Sequence, residues 1–495
     1  MMLAQEVRLL EVAGFDIRAV LAEIILAAGG MVVLLAGAFL PRRRRGLVTG
    51  LALAVVLGAG TWVALSIGDL VPIRAFDEAV AFDGFAMYFK LLLLSGAALS
   101  IIAAQSFLQS EDGSAGEYYG LAIFATAGMM LMASATDLIV LFLALETFSL
   151  ALYALAAFRR NRLDSQEGAL KYFLTGSFSS AFFLYGTALL YGATGTTRFI
   201  GIAAAVRDLT VVDQALLAGG LALVLMGLLF KVAAVPFHMW TPDAYQGSPA
   251  PVAGFMAAGS KAAGFAALLR LLVVVFPALV WDWRPVVSGV AVLSMVAGSV
   301  IAVAQTNVKR VLAYSAIAHS GFLLVGLSSA NSRGISGSLF YLGVYSFTII
   351  GAFAIVYAVG KPGEFSVDID DFRGLWNRRP FLAVTFALLL VSLTGIPPTA
   401  GFWAKFEVFS AAYSAGQEPL VVVGMMSSAV ASFVYLKIIV GMFLEDEKQW
   451  SADEHPATAP SIGTVVLLAG AVVVVLGVFP VPLLDLVRSA GFVFR

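Results

Sequence analysis

The stretch LLFKVAAVPFHMW, Leu228–Trp240, sets a lysine inside an apolar run, a proline five residues later and a histidine two beyond that. A helix there cannot be continuous. Pro236 has no N–H, so the carbonyl of Val232, one residue past Lys231, loses its helical partner. A chain that buries a charge and then breaks the helix carrying it needs a setting that tolerates both. Irregular backbone at membrane depth is tolerated where it is packed in protein or lines a wet cavity.

The setting is a membrane. The 495 residues are 60% hydrophobic and 12% charged, about half the charged fraction of an average soluble protein. Apolar runs of about 20 residues, each enough to cross a bilayer, recur along the chain. The fold class expected is an all-α polytopic membrane protein of about 14 transmembrane helices. The seventh (214–241) and twelfth (380–414) are broken, the latter at TGIPPTAG. The two breaks hold equivalent places in two groups of five spans, spans four to eight and nine to thirteen. Five is odd, so equivalent spans run in opposite directions, the layout of inverted repeats. The organisation expected is 1–116, three N-terminal spans; 117–276, a first antiporter-like repeat; 285–443, a second; and 444–495, a C-terminal span.

Met1–Arg18 is too charged for a secretory signal, and the first apolar run ends in PRRRR, residues 41–45. Basic loop residues favour the PRRRR side, which places that block in the cytoplasm and both termini in the periplasm. There is no cysteine, so cysteine-ligated iron–sulfur clusters are excluded. No phosphate-binding or dinucleotide-binding loop motif occurs, and neither a metal site nor nucleic acid binding is expected. Membrane lipid is the surrounding partner.

The candidate site residues are ionisable groups within the spans. A mid-bilayer lysine costs roughly 2.5–3.5 kcal/mol, and Lys231, Lys261 and Lys405 lie far from span ends. Glu146 is the carboxylate deep in LIVLFLALETFSLALYAL, with Lys231 as its expected partner. Opening and closing such a pair changes the lysine's affinity for a proton; a permanent structural pair is the alternative. Lys261 shares a helix face with Ala257, Ala258 and Gly264, small residues that admit a neighbouring helix. His238 and His319 are relay candidates, since histidine titrates near neutral pH. Pro397 and Pro398 free the carbonyls of Leu393 and Thr394, just before Lys405. Lys90, Lys171, Arg270 and Lys437 are expected to snorkel from span ends, and Glu23 to be a surface carboxylate.

VPFHMWTPDAYQGSPAPVAGF (Val235–Phe255), NVKRVLAYSAIAHSGFLLVG (Asn307–Gly326) and TGIPPTAGFWAKF (Thr394–Phe406) resemble the antiporter-like membrane subunits of respiratory complex I, the proton-translocating NADH–quinone oxidoreductase. Among these the N-type is the nearest. The resemblance implies a translocase subunit with Glu146 and Lys231 as an ion pair at the start of a proton path, Lys261 as its central lysine and Lys405 as its terminal one. It implies that His319 matches a family histidine. It further implies K-type and M-type neighbours in a bacterial inner membrane. FMN, iron–sulfur clusters and quinone would then lie on partner subunits and no redox centre in this chain. A subunit of an Mrp-type cation–proton antiporter is the competing expectation.

Overall fold

The computed structural model describes residues 16–41, 45–68, 73–110, 114–210, 212–360, 367–446 and 459–490. Most of the PRRRR block, and the first 15 residues on which the signal reading rests, lie outside these. The main helices are α1 (Leu21–Phe39), α2 (Arg45–Gly68), α3 (Gly84–Ser110), α4 (Ala115–Ser134), α5 (Leu138–Ala156), α6 (Leu163–Thr194), α7 (Gln214–Lys231), α8 (Trp240–Gly247), α9 (Ala250–Val275), α10 (Val280–Val303), α11 (Val308–Ser328), α12 (Ser332–Val359), α13 (Pro380–Thr394), α14 (Ala400–Ser414), α15 (Glu418–Leu444), α16 (Pro460–Val478) and α17 (Val481–Ser489). Among the described residues, twelve helices are long and apolar enough to cross a membrane. The sequence expectation of about 14 also counts α4 and the pair α13–α14; α13 is apolar but has only 15 residues.

Three of these helices form the centre. In α9, α11 and α12 the most apolar 18-residue windows are 89%, 94% and 94% buried, against 22% in α2 and 33% in α15. A helix apolar all round finds neighbours on every side, so these three are surrounded, α3 is largely enclosed at 72%, and helices such as α2 and α15 face outward. The central three carry Lys261, His319, and two tyrosines, Tyr341 and Tyr345.

Helix starts are fixed by short polar side chains. Asp137 caps α5 by accepting from Ile139 N at 2.7 Å, Asp213 caps α7, and Asn307 caps α11. The caps of α5 and α11 belong to a repeated device. Leu138 N donates to Thr197 O (3.0 Å) and Phe199 N to Thr136 O (2.9 Å). In the second half Val308 N donates to Val367 O (2.8 Å) and Ile369 N to Thr306 O (2.8 Å), at the same spacing along the chain. Each forms an isolated antiparallel bridge, Asp137 with Arg198 and Asn307 with Asp368.

Two buried ion pairs correct the sequence reading. Lys90 does not snorkel: it is 1% exposed and bonds Glu23, which is itself buried, at 2.8 Å. Arg270 is likewise enclosed, and its guanidinium holds Asp83 through two bonds of 2.8 and 3.0 Å. These pairs tie α3 to α1, and α9 to the start of α3. Lys171 is half-exposed and pairs with Glu167 and Asp243, and Lys437 is exposed, as expected of residues near span ends. Removing one partner of a buried pair leaves an uncompensated charge, at a cost of about 3–5 kcal/mol. Arg270→Leu is therefore expected to lower thermal stability of the purified protein sharply, and Arg270→Leu with Asp83→Leu to recover much of it. Equal melting of the single variant and the unchanged chain would show that the pair carries no such weight.

Candidate functional site

At each of the two helix breaks a serine bonds the freed carbonyl and a lysine bonds the serine. At the first, α7 ends at Lys231 and Val232 follows as its C-terminal cap. The hydroxyl of Ser320, on α11, donates to Val232 O and receives a bond of 2.5 Å from Lys261 Nζ. Lys261 also donates to Ala316 O. The N–H of Val235, within the break, finds Ser294 Oγ at 2.9 Å. A Cβ at Gly264 would meet Val232 Cγ1 at 2.7 Å, so its bare Cα is what lets α9 approach the broken segment.

The second break repeats this chemistry. Helix α13 ends at Thr394, whose carbonyl is the one Pro398 leaves free. Lys405 Nζ donates to Thr394 O at 2.8 Å and to Ser428 Oγ at 2.5 Å, and Ser428 donates to the same carbonyl at 2.9 Å. Gly395 has φ +88°, and a Cβ there would lie 2.8 Å from Lys405 Cδ. The turn needs glycine both for its left-handed backbone and to let the lysine stem pass.

Lys231 stands apart from the other two lysines. It is 2% exposed, yet its Nζ has no hydrogen-bond partner. Four aromatic rings surround it instead: Phe148, Tyr153, Tyr172 and Phe230, with centroids 5.2 to 5.7 Å away. The hydroxyls of Tyr153 and Tyr172 also lack protein partners. The expected Glu146–Lys231 ion pair is not closed in this structure; the part-buried Glu146 carboxylate accepts from Ser180. Lys231 and Lys261 also do not share one set of ligands, although their helices touch at Gly264.

His319 lies between Lys261 and Lys405. Its Nδ1 is 2.6 Å from Tyr341 Oη, and its ring packs on Tyr345 at 5.1 Å. The Tyr345 ring in turn sits 5.2 Å from Lys261 Nζ. A cavity of about 10 Å³ is lined by His319, Tyr341, Tyr345, Leu393 and Lys405, among others, which is room for about one water. On its other side Lys405 lines an open groove of about 750 Å³ with Thr394, Ser428, Arg333 and Phe406. His238 is part-buried in the broken segment, its Nδ1 without a partner, and no hydrogen bond joins it to the lysines.

Ser320, Ser428, Tyr341 and Tyr345 are absent from the sequence reading. Serine and tyrosine carry no charge to mark them in an apolar run, and their partners are remote in sequence. The one available signal is the doublet His319–Ser320, in which one residue of a candidate relay adjoins a hydroxyl. Among the described residues no group of three or more His, Asp or Glu side chains is placed to hold a metal ion.

A family model described as NADH:quinone oxidoreductase/Mrp antiporter, transmembrane, matches residues 135–431, which include both breaks and every site residue above. A curated relative from Trichlorobacter lovleyi, named NADH-quinone oxidoreductase subunit N, is 43% identical over 96% of this chain and 97% of its own. The chain belongs to the NADH–quinone oxidoreductase subunit N family. A solved chain of respiratory complex I from Thermus thermophilus superposes with TM-score 0.81 at 36% identity, covering 95% of this chain and 100% of its own. A chain of the Mrp complex from Dietzia sp. DQ12-45-1b has the same TM-score over 96% of both chains, but at 22% identity it shows a shared fold alone.

Among the described residues Ser320 is the one side chain that bonds both a freed carbonyl and a lysine at the first break. Ser320→Ala leaves Val232 O without that donor and Lys261 without that acceptor, at a cost of about 1–3 kcal/mol. The expected result is a lowered melting temperature, where Ser294→Ala, which strips one backbone N–H of its acceptor, costs less. A Ser320→Ala protein melting with the unchanged chain would remove the serine from the support of the break.

Proposed function

We propose that this chain is a proton-translocating membrane subunit of a bacterial NADH–quinone oxidoreductase, assembled between K-type and M-type neighbours in the inner membrane. Electron transfer takes place on partner subunits, which hold the FMN, iron–sulfur clusters and quinone. This chain's part is to bind, hold and pass protons. The observation that carries the reading is the pair of lysines, Lys261 and Lys405, each bonded through a serine to a carbonyl at a helix break. Each lysine also has a carbonyl to donate to when charged, Ala316 O for Lys261 and Thr394 O for Lys405. Once neutral, its amine keeps donors to offer the same carbonyl. Either state is accommodated without rebuilding the helix.

The path begins at Glu146 and Lys231. With the pair closed, the carboxylate stabilises the ammonium. With it open, Lys231 has only aromatic faces, and its proton is driven toward Lys261. From Lys261 the proton moves past His319 to Lys405, and from there into the groove beside Arg333. Closing the pair reloads Lys231. His238, at the cytoplasmic half of the first break, is a candidate for that loading step. Moving one charge outward costs about 2.3 kcal/mol per 100 mV, supplied by quinone reduction elsewhere in the assembly.

The inverted arrangement of 117–276 and 285–443 is part of the same reading. The bridges at Asp137 and Asn307 are five crossings apart, which in this reading puts one on the periplasmic face and the other on the cytoplasmic face. Both termini are then periplasmic.

The test uses the whole complex in proteoliposomes. Lys405→Ala is expected to abolish or strongly cut proton translocation while the amount of assembled complex on a native gel is unchanged. An assembled Lys405→Ala complex that pumps at the normal rate would take the route away from this lysine. Glu146→Gln should act at the other end, slowing the reloading of Lys231, and is read from the same pumping rate.

A further inference from the structure

One face of α12 joins Lys261 to Lys405, and one of its hydroxyls is left over. Tyr341, Tyr345 and Thr348 succeed one another at helical spacing and all line the 10 Å³ cavity beside His319 and Lys405. Tyr341 is committed to His319 Nδ1, and Thr348 to Val344 O at 2.7 Å. Tyr345 is committed to nothing: it is 2% exposed, and its hydroxyl has no partner in the protein. A buried hydroxyl without a partner costs about 1–3 kcal/mol, and the cavity Tyr345 lines has room for about one water. Leu393, whose carbonyl is freed by Pro397, lines the same space.

We propose that Tyr345 anchors a single water in this cavity, and that this water is the proton-carrying step between His319 and Lys405. The proposal rests on the proton-path reading and adds a residue to it. The transfer balances without net chemistry. An imidazolium formed at His319 gives its proton to the water oxygen. The water gives one of its own protons to the neutral Lys405 amine. His319 ends as neutral imidazole and Lys405 as ammonium, while the water and the Tyr345 hydroxyl end as they began. Tyr341 fixes the ring by holding Nδ1, so the other ring nitrogen exchanges the proton. Tyr345 orients the water, and is a positioning residue rather than a proton store. Its ring, against both Lys261 Nζ and the imidazole, also sets the distance between those two groups.

Tyr345→Phe removes one oxygen and keeps the ring and its contacts. In proteoliposomes of the intact complex, the pumping rate is expected to fall by roughly tenfold, the worth of one hydrogen bond at the barrier. The ratio of rates in H2O and D2O should rise, because the proton step becomes limiting, and the amount of assembled complex should not change. A lowered rate with an unchanged isotope ratio assigns Tyr345 a packing role only and overturns the proposal. A normal rate in Tyr345→Phe beside an impaired Lys405→Ala overturns it too, while leaving the path intact. A normal rate in both takes down the path itself. Should Tyr345→Phe fail to assemble, a high-resolution map of the unsubstituted complex decides: a solvent peak within hydrogen-bond distance of Tyr345 Oη is expected. Its absence, where other internal waters are seen, rejects the anchor.

Discussion

A backbone carbonyl inside a bilayer protein has to meet a donor, and proline takes donors away. That constraint organises the centre of this molecule. Val232 and Thr394 lose their helical partners to Pro236 and Pro398, and each carbonyl is taken up by a serine from another helix. The serine in turn is taken up by a lysine. The lysines are therefore bonded into the breaks rather than merely tolerated beside them.

The breaks and the freed carbonyls were legible in the sequence, because proline acts on a carbonyl four residues back whatever the tertiary structure. So were Lys231, Lys261 and Lys405, since charge in an apolar run is conspicuous. The serines and tyrosines were not legible. Ser320 meets Val232 across 88 residues of chain, and nothing in either stretch names the other. The snorkelling reading of Lys90 and Arg270 failed for a related reason. Distance from the end of an apolar run measures depth, but whether a cation escapes to the headgroups depends on whether a carboxylate waits inside. Glu23 and Asp83 were waiting, on helix ends that hydropathy alone treats as surface. The Glu146–Lys231 pair was inferred from opposite charge; the structure instead gives each its own company.

The two halves solve the same problem with different parts. At the first break the lysine comes from α9 and the serine from α11. At the second the lysine comes from α14, within the broken span itself, and the serine from α15. The bridges that start α5 and α11 are much closer copies, with threonine followed by a capping Asp or Asn in both. Backbone pairing is reproduced faithfully and side-chain chemistry loosely.

The lysines differ in how their burial is offset. An ammonium at this depth costs about 2.5–3.5 kcal/mol, and a hydrogen bond from a charged group returns about 1.5–3 kcal/mol. Lys261 and Lys405 each make two such bonds, enough to hold them where they are. Lys231 makes none, and its ammonium has instead cation–π contact, worth about 2 kcal/mol when desolvated, and the field of the Glu146 carboxylate, which it does not bond. The same Tyr172 ring that faces Lys231 stacks on Trp240 at 4.2 Å, at the start of α8. Trp240 in turn reaches back across the break to Phe230 O at 3.2 Å. The least anchored lysine is thus enclosed by rings of α5, α6 and α7, and one of those rings, Tyr172, stacks on a residue beyond the break. A shift of α8 against α7 reaches Lys231 through the Tyr172 ring, whereas Lys261 and Lys405 are held by their serines and carbonyls.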